Sequence, residues 1–146
     1  MNYLLDTNVV SEQLKPRPDE NVVRWVDAAD EGSLFLSVIT FAEIRKGIED
    51  IGSGRRRDAL TKWLYEELLS RFEGRILDVN WAVALSWGKI MSRSDVLGIN
   101  LGAIDAFIAA TAEAYGLTLV TRNVRDFSKL RVPLLNPWRQ TPKIRA

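Results

Sequence analysis

Residues 104–121 read IDAFIAATAEAYGLTLVT, and their pattern decides the fold. From Ile104 to Tyr115 the run is apolar nearly all round. Such a helix is buried on every side rather than lying on a surface. Gly116 supplies its stop, and Leu117 to Thr121 then reads as a strand. A fully buried helix feeding a short apolar strand is the unit of a parallel sheet covered by helices on both faces.

The same alternation extends outward in both directions. Asn2 to Leu5 reads as a strand ending at Asp6, Leu34 to Ser37 as a second and Arg75 to Leu77 as a third. Leu134 to Asn136 reads as an edge strand between Pro133 and Pro137. Between the strands, helices are expected from about Glu20 to Glu31, with Gly32 as the stop, and from Thr40 to Ile51. A longer one is expected from Asp58 to Phe72, with Leu60, Trp63, Leu64, Leu68 and Phe72 on one face. Another runs from Trp81 to Arg93 with Trp81, Ala84, Leu85 and Met91 on one stripe. The expected class is α/β, and sites in such sheets lie beyond the carboxyl ends of the strands.

Composition narrows the chemistry. The 146 residues suit one domain, and a hydrophobic content of 47% excludes a disordered chain. No apolar run approaches the roughly 20 residues of a membrane span. The start, MNYLLDTNVV, lacks the basic opening and cleavage site of a signal peptide, so a cytoplasmic protein with no membrane partner is expected. Cysteine and histidine are both absent. Disulfides, thiolate nucleophiles, Ser-His-Asp triads and His- or Cys-ligated zinc are therefore excluded. Any metal here would sit among oxygen ligands, which points to Mg²⁺, Mn²⁺ or Ca²⁺. The net charge of +1 is not that of a dedicated nucleic-acid binder, so RNA would have to be held by local patches.

Acids stand where the strands end: Asp6 after the first, Glu43 after the second, Asp105 at the start of the buried helix, Asp126 after the strand at 117–121. Singly, each has a structural reading. Asp6 fits an Asx turn or a helix cap. Glu43, three residues after Thr40, fits a capping box. Asp105 fits a charge on a helix dipole, and Asp126 a charge in a helical turn. Together they read differently. Half-buried carboxylates repel one another and resist desolvation, so gathering them at one sheet edge implies a hard cation between them.

The segments LLDTNVVSE (4–12), LSVITFAEIRKGI (36–48) and DAFIAATAEAYGLTLVTRNVRDF (105–127) resemble, in order and spacing, the successive motifs of PIN-domain nucleases. They are similar in particular to the VapC and FitB toxins of toxin–antitoxin pairs. The resemblance runs from Met1 to about Trp138. It implies a PIN domain over residues 1–138, a three-layer α/β/α sandwich, followed by a basic tail at 139–146. It implies metal ligation by Asp6 and Asp105, with Glu43 completing the acidic triad, and support from Asn8 and Thr121. Asn123 departs from the pattern, since many members carry a fourth acid there; Asp126 is the nearest replacement. The resemblance also implies a homodimer, a cognate antitoxin, and contact with operator DNA only through that antitoxin.

The expected activity is Mg²⁺-dependent hydrolysis of RNA phosphodiesters, with Mn²⁺ as a substitute. Two rivals stand beside it. An aspartyl phosphatase would want a second Asp two residues after the first, where this chain has Asn8. A catalytically inactive PIN module, binding RNA or a partner, is suggested by Asn123. Arg55, Arg56 and Arg57 form one basic run with Lys62, and Arg122, Arg125, Lys129 and Arg131 form another near the site segments. Most such charges solvate a surface; if the second group binds phosphates, cleavage falls steeply with salt.

Overall fold

The computed structural model describes residues 1–139. Five strands form one sheet: β1 (Tyr3–Leu5), β2 (Leu34–Ser37), β3 (Ile76–Leu77), β4 (Thr118–Val120) and β5 (Leu134–Leu135). Their spatial order is β3-β2-β1-β4-β5, and every neighbouring pair is parallel. The expected basic tail lies, beyond Arg139, outside the described residues.

Side chains alternate across the strands and so divide the core in two. Leu4 and Leu119 face a layer built with Val83, Ile90, Ile108 and Phe127. Leu5, Val120, Leu34 and Leu36 face the other, with Val9, Val22, Ile48, Leu64 and Phe72. The first layer is carried by α6 (Trp81–Leu97), α7 (Ala103–Tyr115) and the short α8 (Val124–Phe127). The second holds α1 (Thr7–Glu12), α2 (Glu20–Ala28), α3 (Val38–Asp50) and a composite helix. The result is the α/β/α sandwich expected.

That composite helix runs α4 (Arg55–Lys62), a π-helical stretch Trp63–Leu68, then α5 (Leu69–Arg71). Its core residues Leu60, Leu64, Leu68 and Phe72 are spaced by four. In an α-helix that spacing drifts about 40° per step off the buried face. The wider π turn reduces the drift and keeps Leu64, Leu68 and Phe72 in the core.

Several boundaries differ from the sequence expectations. The second helix ends at Ala28 and not at Gly32, because Ala29 is extended and a 3₁₀ turn, Glu31–Ser33, follows. Glu31 is drawn instead to Arg71 and Arg75, which clamp it from the far side. The third helix starts two residues before Thr40. Ser37 is its cap, accepting from the Ile39 N–H at 3.0 Å, so no capping box forms around Glu43. Most of the stripe expected on α6 faces outward: Trp81 and Leu85 are 82% and 59% exposed and Ala84 is exposed too, Met91 alone packing on the core, while Val83, Ser86, Ile90 and Ser94 turn inward. Two apolar stripes coexist on this helix, and periodicity alone does not choose between them. α7 is buried through its middle, at Ala106 and from Ile108 to Ala112, but not all round as expected: Ile104 and Tyr115 at its ends are exposed, and Gly116 ends it in the left-handed region at φ 66. Among the described residues no helix is long and apolar enough to cross a membrane.

Candidate active site

Strand register builds the centre of the site. Leu5 of β1 pairs with Val120 of β4, and the next residues on each, Asp6 and Thr121, leave the sheet edge side by side. The Asp6 N–H still reaches the Val120 carbonyl at 2.9 Å. Asp6 then caps α1, with Oδ1 accepting the Thr7 N–H at 2.7 Å. Its other oxygen, Oδ2, accepts the Thr121 hydroxyl at 2.8 Å, and the Asn8 amide lies at 3.4 Å from both. The capping reading of Asp6 thus occupies one carboxylate oxygen, and the other is held by Thr121 at the strand ends.

Glu43 is not committed to its own helix. The Thr7 hydroxyl donates to its Oε1 at 2.6 Å, across 36 residues, and lies 3.2 Å from the buried Thr40 hydroxyl. Thr7 and Thr40 thus join the candidate site through Glu43, and no motif of the sequence marks them for it. The adjacency of Thr7 to Asp6 was the available signal.

The acids sense one another. Asp6 is only 4% exposed, and burial raises its carboxyl from the usual 3.8 to about 6. The Thr121 and Thr7 hydrogen bonds oppose that rise, while the charges of Asp105 and Glu43 add to it. Half-buried Asp105 is likewise raised, first by burial, then by Glu43 and by Asp126. Asp126 itself is exposed in the first turn of α8. Asn123 caps nothing with its side chain; its N–H donates to Thr121 Oγ1 at 3.0 Å. Asp6, Glu43, Asp105 and Asp126 therefore share one electrostatic neighbourhood.

Among the described residues no three acids stand close enough to form a ready cation cage. The donor chemistry still fits Mg²⁺. All donors are oxygens, and Mg²⁺ keeps several waters, binding through one or two carboxylates rather than an all-protein cage. An Asp raised by burial, with two neighbouring acids adding to the rise, is a group whose charged form a cation would restore.

A family model described as PIN domain matches residues 3–133. The chain belongs to the PIN-domain family. Toxin FitB of Neisseria gonorrhoeae is 40% identical over 135 residues, covering 92% of this chain and 97% of that protein. VapC ribonuclease Y4jK of Sinorhizobium fredii is 37% identical, covering 92% and 96%. Among solved structures, FitAB bound to an IR36 DNA fragment superimposes with a TM-score of 0.89 at 37% identity, covering 96% of this chain and 98% of the other. A DNA-bound VapBC from Salmonella typhimurium gives 0.75 at 26% identity, covering 94% and 98%. The PIN fold expected from the three motifs is thus the fold of the chain.

Proposed function

We propose that this PIN-domain protein is a Mg²⁺-dependent endoribonuclease toxin, restrained in the cytoplasm by a cognate antitoxin. The observation that carries the reading is Asp6: a buried carboxylate beside Asp105 and Glu43, in a chain whose relatives include named VapC ribonucleases. Asp6 and Asp105 would hold the metal, with Glu43 beside it and Asp126 as an outer acid. The bound ion would supply Lewis-acid stabilisation of a phosphate oxygen and lower the pKa of a water.

The protein's own groups prepare that chemistry. Thr121 and the Thr7 N–H fix both oxygens of Asp6, so its orientation does not depend on substrate. Asn8 supports the pair from the side. Thr7 holds one oxygen of Glu43, leaving Oε2 to accept a proton from the attacking water. With no histidine in the chain, a carboxylate is the natural base. Attack by water leaves a 5′-phosphate and a 3′-hydroxyl.

The groove beside Glu43 supports the antitoxin part of the reading. Thr7, Glu43, Ile44, Ile48, Leu14 and Leu60 line a cavity of about 390 Å³, with Lys15 and Arg56 also on its wall. An apolar segment laid there would end against the acids and block them. The neighbouring FitAB and VapBC structures are themselves two-component complexes bound to DNA. A homodimer, with DNA contacted only through the antitoxin, completes the proposal.

The test is purified chain, freed of any bound partner, incubated with cellular RNA and Mg²⁺ or Mn²⁺. Cleavage is expected, lost with EDTA and with Asp6→Asn, with 5′-phosphate ends. A 2′,3′-cyclic phosphate would contradict hydrolysis by water, and intact RNA under all conditions would favour an inactive binding module.

A further inference from the structure

Arg122 follows Thr121 directly, so it leaves the sheet edge beside Asp6. Its N–H points to the Asn8 Oδ1 at 3.4 Å. Its guanidinium carbon lies over the ring of Trp138, 5.3 Å from the centroid. Trp138 is itself fixed: its N–H donates to Asn136 Oδ1 at 3.0 Å, and its carbonyl accepts from the Asn21 amide at 3.1 Å. The turn after β5 thus holds an aromatic plate at the same sheet edge as the acids, with an arginine resting on it.

Several cations are committed to acids. Lys15 pairs with Glu12 at 2.8 Å, and Arg45 and Arg57 both pair with Glu49. Arg122 takes part in none of the ion pairs formed among the described residues. Arg56, Arg125, Lys129 and Arg131 form no ion pair there either, but they rest on no aromatic ring among the described residues. The seat on Trp138 is what sets Arg122 apart, its charge also reaching Glu12. A guanidinium lying on an aromatic face donates from its edges, and its fork matches two phosphate oxygens. The need is physical. Four carboxylates repel a polyanion, and a net charge of +1 provides no global field to offset that.

We propose that Arg122, held on Trp138, grips a backbone phosphate of the RNA next to the scissile one and so positions the strand over the acids. This rests on the ribonuclease reading. Arg122 is a positioning residue: it carries no sequence preference, and its effect falls on substrate binding rather than on the chemical step.

The experiment is steady-state cleavage of an RNA oligonucleotide with Mg²⁺, by wild type, Arg122→Ala, Arg122→Lys, Trp138→Leu and the Arg122→Ala/Trp138→Leu double variant. Arg122→Ala is expected to raise KM about 10-fold, the loss of one charged hydrogen-bonded contact, with kcat within about twofold. Arg122→Lys retains part of the binding, because a point charge neither stacks nor forks as Arg does. Trp138→Leu raises KM by roughly 3-fold, and the double variant is no worse than Arg122→Ala alone, because the plate acts through the guanidinium. The slope of log KM against log salt is reduced by about one in Arg122→Ala. A KM that ignores Arg122→Ala, or a fall in kcat at unchanged KM, overturns the inference while leaving the nuclease intact. A wild-type chain that cleaves no RNA overturns the ribonuclease reading, and this inference with it.

Discussion

Asp6 caps one six-residue helix and Glu12 ends it; both are buried acids, at 4% and 5% exposure, and their surroundings are opposite. Glu12 is answered. Lys15 pairs with it at 2.8 Å, the Asp19 N–H donates to it at 2.8 Å, and its carboxyl is held below the usual range, first by the Lys15 hydrogen bond. It ties the segment after α1 to the cap of α2. Asp6 has hydrogen bonds but no cation; burial pushes its carboxyl up, and two further acids add to the rise. Burial alone therefore does not mark a functional acid. What separates them is whether the protein supplies the opposite charge.

Asp6→Asn breaks the comparison most severely. Cleavage should fall roughly 10³-fold or more, since the group that would hold the metal is lost. The metal-free variant should nevertheless melt above the metal-free wild type at pH 7, because a buried charge has been removed. A lower melting temperature would make Asp6 a structural cap first.

Proton linkage sharpens the same contrast. The folded-state pKa of Asp6 lies near 6, above its unfolded value of 3.8, so ionised Asp6 destabilises the metal-free fold at neutral pH. That penalty is relieved as pH falls through 6 toward 4, by about 2 kcal/mol. Glu12 has the opposite sign: its lowered pKa contributes stability above the unfolded value, which is lost as pH falls through the folded one. Denaturant titrations of metal-free wild type and Asp6→Asn at pH 7, 5 and 4 should show the difference between them shrinking. A difference independent of pH would contradict the assignment.

Glu12→Ala is expected to destabilise the fold by about 1–3 kcal/mol, because the Asp19 N–H and Lys15 lose their acceptor. Cleavage per folded molecule should stay within a few-fold of wild type, as measured by activity corrected for the folded fraction. Thr7→Val has the smallest expected effect on stability. It frees Glu43 Oε1 and should lower kcat about 10-fold while costing about 1 kcal/mol of stability.

The parts of this account that were legible in the sequence are those with a local cause. The strand Leu34–Ser37 and the buried helix ending at Gly116 follow from hydrophobic runs and one glycine. Asp6 and Glu43 were legible as acids placed after strands and Asp105 as an acid opening the buried helix, and Asp6 and Thr121 meet because their strands are adjacent and in register. The Thr7–Glu43 contact was not legible, since it spans 36 residues and depends on how α1 and α3 pack. The start of α3 was misplaced because Ser37 and Thr40 are both good caps and only the end of β2 selects between them. The inward face of α6 was misread because Trp81 and Leu85 repeat at helical spacing as well as Val83, Ser86 and Ile90 do. The Arg122–Trp138 contact joins the ends of β4 and β5, and no local pattern announces it.

The most direct measurement is a site-resolved NMR titration of the Asp6 side-chain carboxyl, with and without Mg²⁺. Without the ion, the carboxyl should titrate near 6, and saturating Mg²⁺ should move it down by more than one unit while Glu12 stays where it was. An Asp6 carboxyl that titrates near 4 and ignores Mg²⁺ would contradict the claim that this buried acid is the protein's side of a metal site.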